Sequence, residues 1–200
     1  MVKMGVIGTN WITERFLQSA AMVEGFKLEA VYSRSEDNAR ALAEKYNARH
    51  IFTDLVKMAE SSFIDAVYIA SPNSLHAGQA IEFLKRGKHV LCEKPIASNV
   101  KELNLMIEAA RDNNLLLMEA MKSTFLPNFK VIEENLPRLG KIRRFFANYC
   151  QYSSRYDLLK KGQRVNVLDP EFSGGSLMDI GVYCVYPIVK LFGMPKAIKA

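Results

Sequence analysis

Short apolar segments alternate with segments of helical periodicity over residues 3–120. The apolar segments are short, rich in β-formers and bounded by glycine, proline or polar residues, which is typical of strands. The predicted strands are residues 3–8, 27–32, 51–52, 64–70, 89–92 and 115–120. The first helix predicted between them opens at residues 9–13 and runs through residue 23. The other four cover 36–46, 55–61, 74–86 and 100–113. This alternation predicts an α/β fold with a doubly wound parallel sheet.

The first predicted strand ends in a glycine, and a helix opens directly after it. Dinucleotide-binding turns have Gly-x-Gly-x-x-Gly there, for the tight turn, the approach to the pyrophosphate and the packing of helix on strand. This chain has Gly8-x-Asn10-x-x-Thr13, so one of the three glycines is present. Because asparagine tolerates left-handed backbone angles, we expect Asn10 to replace the second glycine. The alternative is an ordinary strand–helix turn.

The second predicted strand is followed by Ser33-Arg34-Ser35. An NAD site places an Asp or Glu at the end of this strand to bind the ribose 2′-hydroxyl. Here Tyr32 and Ser33 stand at that place. A guanidinium and a hydroxyl bind a 2′-phosphate, which an acid would repel. The segment therefore predicts NADP rather than NAD, and the alternative for Arg34 is a solvated side chain at a helix start.

The fifth predicted strand stops at Glu93-Lys94-Pro95. Because the carboxyl ends of parallel strands face the ligand crevice, we expect Lys94 to reach a bound substrate. Pro95 stiffens the turn. The pKa of a lysine falls readily on burial, so the side chain can act as an acid or base near neutral pH. The alternative is a solvated lysine beside a turn proline.

The strand–helix pattern changes after residue 121, so we predict one domain over 1–121 and the start of a second over 122–200. The elements predicted there are a helix over 128–135, a β-forming run over 141–152, a polar loop over 153–173, a helix over 177–192 ended by Gly193, and a strand beginning at 197–198. A lone strand with a helix cannot bury its own face. We therefore expect the chain to be cut from a longer protein.

Composition restricts the classes of partner. The formal net charge of +6 is spread along the chain without a long basic run, whereas nucleic-acid binders concentrate charge on one face. No apolar run approaches the roughly 20 residues that span a bilayer. The odd cysteine count without a signal peptide is typical of a reduced, cytoplasmic protein. Cys92, Cys150, Cys184, His50, His76 and His89 show no metal-ligand spacing. We therefore expect no nucleic acid, membrane or metal.

Four segments together make the chain resemble the glucose–fructose oxidoreductase / inositol dehydrogenase family (the Gfo/Idh/MocA oxidoreductases), nearest to its dihydrodiol and xylose dehydrogenase-like branch. They are residues 5–8 with 11–12, 71–76, 87–95 and 174–183. The resemblance implies an amino-terminal Rossmann domain followed by an α+β domain with an open, largely antiparallel sheet. That second domain would carry the substrate site and the contact of a homo-oligomer, a dimer or tetramer.

The resemblance also implies a reaction, reversible hydride transfer between NADP, or alternatively NAD, and a hydroxyl-bearing carbon of a sugar, polyol or diol. It implies catalytic roles for Lys94, Asp179 and Tyr183, in which Lys94 or Tyr183 takes the proton of the substrate hydroxyl and Asp179 orients or relays it. Asp179 and Tyr183 are four apart on a helix and so share a face. The expected cofactor-binding residues are Gly8, Thr9, Asn10, Trp11, Ile12, Ser33, Arg34, Ser71, Pro72, Asn73, His76, Glu93 and Lys94.

The chain departs from the branch at one position. Members have an Arg before the Phe-x-Pro of the domain junction, and this chain has Thr124 there with Lys122 nearby. A substrate or cofactor contact is therefore expected to differ. A non-catalytic NADP-binding redox sensor or regulatory subunit is the alternative function, since a fold alone does not establish catalysis.

Overall fold

The computed structural model describes residues 1–199, and the chain forms two compact units, Met1–Ala120 and Met121–Ala200. The first unit contains a sheet with strand order β3-β2-β1-β4-β5-β6. Its strands are β1 (Val2–Ile7), β2 (Phe26–Tyr32), β3 (His50–Phe52), β4 (Ala66–Ile69), β5 (His89–Cys92) and β6 (Leu117–Glu119). Each neighbouring pair runs parallel. This order confirms the predicted doubly wound Rossmann-type α/β fold.

Five helices connect these strands and cover the sheet. They are α1 (Trp11–Ala20), α2 (Glu36–Tyr46), α3 (Leu55–Glu60), α4 (His76–Leu84) and α5 (Val100–Asp112). Helix α1 is shorter than predicted. Its last turn tightens through bonds from the Met22 and Val23 amides to the Ser19 and Ala20 carbonyls, and the chain then turns at Gly25 with φ +87°. The apolar side chains of Met22 and Val23 lie exposed in this turn rather than on a helix.

The core lies on both faces of the sheet, and all four residues of β4 are buried. Gly5 in β1 shows how closely α3 packs on one face. A Cβ at Gly5 would overlap the Met58 methyl of α3 and lie 3.1 Å from Ile64 Cδ1. The missing side chain therefore lets Met58 fill the space over the strand.

The strands end in register at one edge of the sheet. Ile7 pairs with Ile69, Ile69 with Cys92, and Cys92 with Glu119. The residues that follow β1, β4 and β5 therefore leave the sheet at the same level. Because ligands bind at the carboxyl edge of such sheets, this register brings the candidate residues of the first unit together.

The second unit is helical among the residues that the structure describes. It contains α6 (Pro127–Asn135), α7 (Tyr156–Lys160) and α8 (Val182–Phe192), with a π-helical turn at Leu177–Gly181 before α8. Helix α8 ends at Gly193, where φ is +79°, as predicted. The predicted polar loop over 153–173 holds α7 and two short 3₁₀ turns.

The β-forming run over 141–152 does not form a strand, which corrects that prediction, and neither do residues 197–198. A strand needs a neighbour to accept and donate its backbone hydrogen bonds. Residues 121–199 contain no second strand that would supply one. The β propensity of this run is therefore not sufficient to order it as a strand.

One segment, Pro170–Phe192, is long and apolar enough to cross a membrane by length and composition alone. The expectation that the chain has no apolar run of this length was therefore wrong, as judged by length and composition. Ser173 and Gly175 break the segment with φ values of +54° and +120°. The helical stretch from Leu177 to Phe192 is shorter than the about 20 residues that span a bilayer.

Candidate active site

The turn after β1 is built around Gly8 and Asn10. Gly8 has φ +98°, and a Cβ there would lie 2.6 Å from the Ala70 carbonyl oxygen, so a side chain is excluded on two grounds. Asn10 Nδ2 donates to the same oxygen at 3.0 Å, while Asn10 Oδ1 accepts from the amides of Ile12 at 3.0 Å and Thr13 at 3.4 Å. The asparagine therefore caps α1 and ties it to the end of β4.

Asn10 does not take the left-handed conformation that the sequence predicted. Its φ of −88° and ψ of 177° are extended. The hydrogen bonds of its side chain explain the difference, because an extended N-cap residue can reach the second and third amides of its helix. Asn10 therefore contributes a cap and not the backbone freedom of a glycine.

Two other residues of this turn have contrasting surroundings. Thr13 stands at the third position of the fingerprint and is fully buried, and its hydroxyl has no hydrogen-bond partner among residues 1–199. Trp11, the first residue of α1, is 63% exposed. Its amide has no acceptor inside the helix, as at any first helical position. The start of α1 therefore offers an open amide and an exposed indole to a ligand.

The end of β2 has the predicted polar residues. Tyr32 closes the strand, and Arg34 is exposed, with no ion pair to another residue of 1–199. The one acid within β2, Glu29, is buried beside Lys27, with 2.7 Å between Nζ and Oε2. That hydrogen bond lowers the pKa of Glu29 against the opposing effect of burial. Glu29 is therefore a paired structural group, and no acid stands at the ribose position.

Residues 93–96 form a loop after β5, which we call the lysine loop. The Lys94 amide donates to Glu93 Oε2 at 3.2 Å, and the Tyr68 hydroxyl donates to Glu93 Oε1 at 2.7 Å. The Tyr68 ring is itself fixed in the core, stacked on Phe16 with the ring centroids 4.0 Å apart. Glu93 is thus held between β4 and the loop, and it anchors the backbone of Lys94.

A second carboxylate holds the other side of the lysine loop. Glu119, the last residue of β6, accepts from the Ile96 amide at 2.9 Å. Burial raises the pKa of Glu119 and Glu93 raises it further, whereas the Ile96 amide and the charge of Lys94 lower it. Sequence reasoning missed Glu119, although its position at the end of a predicted strand was a signal.

His76 joins two turns of the sheet edge. Its ring is fully buried, with Nδ1 2.9 Å from the Pro95 carbonyl oxygen and Nε2 2.9 Å from the Ser71 carbonyl oxygen. Burial lowers the pKa of His76, and the two carbonyl contacts act in the opposite direction. Both ring nitrogens are engaged with backbone. The expected contact of His76 with the cofactor stays a prediction.

The other residues of the predicted turn after β4 lie beside this contact. Pro72 precedes a 3₁₀ turn at Asn73–Leu75, which leads into α4. The Ser71 hydroxyl donates to Gln79 Oε1 at 2.7 Å. The structure thus brings the candidate residues of 8–12, 71–73 and 93–94 to one edge of the sheet of the first unit.

The described residues contain no cluster of three or more metal-ligating side chains.

Asp179 and Tyr183 belong to the second unit. Asp179 lies in the π-helical turn, where its amide donates to the Gly175 carbonyl at 2.9 Å. Tyr183 lies at the start of α8, and its ring meets that of Tyr149 edge to face with centroids 5.7 Å apart. Both residues are half-buried. The structure therefore places the carboxylate and the phenol on one helical stretch, as predicted.

The glycine pair before this helix has a packing reason. A Cβ at Gly174 would lie 2.6 Å from the Val167 carbonyl oxygen and 2.8 Å from both the nitrogen and the carbonyl oxygen of Asp169. The Gly174 and Gly175 amides donate to the Asp169 and Val167 carbonyls at 2.9 and 2.8 Å.

Thr124 stands where members of the family branch have an Arg. Its hydroxyl donates to the Met121 carbonyl at 3.1 Å.

The strand order, the glycine turn at the start of α1 and the residues after β2 define the first unit as a dinucleotide-binding α/β domain. Residues 2–121 match the oxidoreductase family with an NAD-binding Rossmann fold, Gfo/Idh/MocA. The chain belongs to this family, which confirms the resemblance seen in its sequence.

Individual relatives agree with this assignment. The chain is 60% identical over 200 residues to scyllo-inositol 2-dehydrogenase (NADP(+)) IolU of Bacillus subtilis, and 50% identical over 200 residues to the uncharacterized oxidoreductase YgjR of Escherichia coli. Each match covers 100% of this chain and 61% of the relative. The chain therefore spans about three fifths of the length of these relatives.

A solved structure agrees over nearly the whole chain. It is the 3-ketoreductase KijD10 of Actinomadura kijaniata in complex with NADP and TDP-benzene, with a TM-score of 0.80 and 28% identity. The match covers 96% of this chain and 57% of that one.

Proposed function

We propose that this chain belongs to an NADP-dependent dehydrogenase that transfers a hydride between the nicotinamide and a hydroxyl-bearing carbon of a sugar, polyol or related diol. The observation that carries the proposal is the lysine loop. Its backbone is held by Glu93 and Glu119 at the carboxyl edge of a dinucleotide-binding sheet, and it presents Lys94 there. The relative from Bacillus subtilis, named for NADP(+) and scyllo-inositol, supports the cofactor and the substrate class.

The residues present fit NADP. Gly8 has the positive φ and the blocked Cβ that a close backbone approach requires, and the start of α1 leaves the Trp11 amide for a pyrophosphate. We assign the pyrophosphate to the segment of Gly8, Thr9, Asn10, Trp11 and Ile12, in which the Ile12 amide already donates to Asn10 Oδ1. Ser33 and Arg34 follow a strand without a ribose-binding acid, so we assign the 2′-phosphate to them. NAD is the weaker ligand on this assignment. Ser71, Pro72 and Asn73 are assigned to the cofactor from their place at the same edge.

The chemistry divides between the cofactor and the side chains. When bound, NADP supplies the acceptor for a hydride from the substrate carbon. The amine of Lys94, in its neutral form, accepts the proton of the substrate hydroxyl as the C–H bond breaks, and its ammonium returns that proton in the reducing direction. We propose that Asp179 and Tyr183, on one helical face, orient the hydroxyl or relay its proton.

The proposal is tested with the full-length protein and a panel of substrates. NADPH formation is followed with scyllo-inositol, other polyols, aldoses and trans-diols, and we expect turnover with at least one of them. Lys94→Ala should lower kcat by at least about 10²-fold and leave NADP affinity within about twofold, because the group acts on the proton and not on the nucleotide. Trp11 lies at the cofactor turn, and a change in its fluorescence provides a signal for NADP affinity.

Lys101→Ala is the matched control, an exposed lysine on α5 that should change neither value. A Lys94→Ala protein that keeps its turnover and loses NADP affinity would show that Lys94 is a binding residue. NADP binding without turnover of any substrate in the panel would favour the non-catalytic sensor or regulatory subunit.

We also propose a cytoplasmic homo-oligomer, a dimer or tetramer. The support for assembly is the exposure of large apolar side chains in the second unit, including Phe145, Phe146 and Tyr149. The support for a reducing compartment is that Cys92, Cys150 and Cys184 are all unpaired. Light scattering on the full-length protein tests the oligomer, and a monomer would contradict it.

A further inference from the structure

His76 contacts the two turns that the proposed function uses. It is the first residue of α4, and its fully buried ring lies between the carbonyl of Ser71, after β4, and the carbonyl of Pro95, in the lysine loop. Both nitrogen–oxygen distances are 2.9 Å. The charged groups that act on the ring are Glu93 and Lys94. His76 is thus a direct connection between the cofactor side and the lysine side of the sheet edge.

The number of protons on the ring decides what this connection can do. A neutral imidazole has one N–H, so it donates to one of the two carbonyls, and it donates to both when it is protonated. The Pro95 contact is buried, whereas the Ser71 contact is part-buried. A buried carbonyl left without a donor costs more free energy than one that water can reach. The single proton of the neutral ring therefore belongs on Nδ1, facing Pro95.

Pro95 is the point of the lysine loop that needs such a donor. The amides of Lys94 and Ile96, on either side, already donate to Glu93 and Glu119. Proline has no N–H, so its carbonyl is the one backbone group by which other residues can hold it through a hydrogen bond. The bond from Nδ1 therefore adds a third contact to the loop backbone around Lys94.

We propose that His76 is a positioning residue, whose Nδ1–H holds the Pro95 carbonyl and thereby sets the position of the Lys94 amine for proton transfer. The inference rests on the proposed role of Lys94. His76 does not touch the reacting atoms and acts through the loop. Its loss should therefore lower kcat, while NADP affinity changes less, because most of the residues assigned to the cofactor lie in the turns after β1 and β2.

Two isosteric variants separate this role from a merely structural one. The amide nitrogen of an asparagine comes near the place of Nδ1, and that of a glutamine near the place of Nε2. We expect His76→Asn to keep kcat on the best substrate of the panel within about threefold. We expect His76→Gln, which loses the Pro95 bond and can keep the Ser71 one, to lose at least about tenfold in kcat, as one lost buried hydrogen bond would cause. NADP affinity from Trp11 fluorescence should stay within about threefold in both.

His50→Asn is the matched control. His50 is the first residue of β3 and so lies at the amino end of that strand, away from the carboxyl edge of the sheet. Its ring is stacked on Phe63 with 3.7 Å between centroids, and this variant should keep kcat. A ¹⁵N spectrum of the imidazole in the unaltered full-length protein gives a readout that needs no activity. We expect a protonated Nδ1 on His76.

The possible results are distinguishable. Equal losses of kcat in His76→Asn and His76→Gln, with both folded by thermal melting, would overturn the inference, and so would a neutral ring protonated on Nε2. If His76→Gln fails to fold, the spectrum still decides the proton position. If Lys94→Ala keeps its turnover, the proposed function itself is wrong, whatever the His76 variants do.

Discussion

Two runs of β-forming residues have opposite outcomes in this molecule. Strand β5, His-Val-Leu-Cys, lies between β4 and β6, with Val90 and Cys92 buried. The run over 141–152 has more aromatic and β-branched residues than β5 but forms no strand, and Phe146 in it is 82% exposed. Composition is therefore not what separates the two runs. The difference is the presence of neighbouring strands, which supply both hydrogen bonds and apolar cover.

The side-chain contacts at the end of β5 and in residues 141–152 differ in the same way. At the end of β5 the side chains of Glu93, Glu119 and His76 each meet a backbone group of the lysine loop. In the exposed run, the rings of Phe145 and Tyr149 meet those of Phe192 and Tyr183 edge to face. An ordered neighbourhood is what positions a chemical group, so we assign the acid–base role with most support to Lys94.

The largest expected effect tests the packing side of this comparison. Phe83 in α4 is fully buried in the core of the first unit, and Phe83→Ala should destabilise that unit by about 3–5 kcal/mol through lost burial and the cavity left behind. Phe146→Ala, a matched deletion at an exposed position, should change the free energy of unfolding by less than about 0.5 kcal/mol. Urea denaturation measures both. Equal effects would show that residues 141–152 are packed as firmly as the sheet.

Most of the first unit was predictable because its signals are local. The helix 36–46 and the strand 89–92 appear at the predicted residues, since their periodicity and bounding residues agree with the sheet that covers them. The conformation of Asn10 was mispredicted, because side-chain capping competes with the left-handed turn and depends on the Ala70 carbonyl, distant in sequence. Residues 141–152 were mispredicted because a strand depends on a partner that local propensity does not reveal.

The sequence also located part of the candidate site, as it did most of the first unit. Lys94 and Arg34 follow strands, and the carboxyl-edge rule locates both. The segment 87–95, which contains Lys94, also contains Lys88, whose Nζ donates to the carbonyls of Ser61 at 2.7 Å and Ile64 at 2.9 Å. Nothing in the sequence separates this structural lysine from a chemical one except its place before the strand. The role of His76 required the structure, because its two carbonyl partners come from different turns.

A smaller effect concerns an exposed residue of the first unit that we assign to a ligand. Arg34→Ala should weaken NADP binding by about 1.5–3 kcal/mol, the value of a charge-assisted hydrogen bond, and leave NAD affinity and the unfolding free energy nearly unchanged. Arg40→Ala is the control, because Arg40 is an exposed arginine of α2 that pairs with Glu36 at 2.6 Å. Trp11 fluorescence titrations give both affinities. Equal affinity of the unaltered protein for NADP and NAD would contradict the assignment.

The smallest effect compares two ion pairs, one in each unit. The hydrogen bond from Lys27 lowers the pKa of the buried Glu29, and Arg49 adds to the shift. A carboxyl group with a lowered folded pKa contributes stability above its unfolded value, about 4.3, and loses it as the pH falls through the folded value. Glu29→Gln should therefore be less stable than the unaltered protein at pH 7 and equal to it once the carboxyl is protonated.

Glu133 in the second unit is the matched control for this pH dependence. It pairs with Lys190 of α8 at 3.4 Å, with both side chains nearly half exposed, and exposed pairs contribute little to stability. Glu133→Gln should leave the curve of unfolding free energy against pH unchanged between pH 3 and 7, within about 0.5 kcal/mol. Urea denaturation at a series of pH values measures both curves. The opposite result would be a free energy of unfolding that loses its pH dependence in Glu133→Gln and keeps it in Glu29→Gln. It would show that the ion pair of the second unit contributes more to stability than the pair in the sheet.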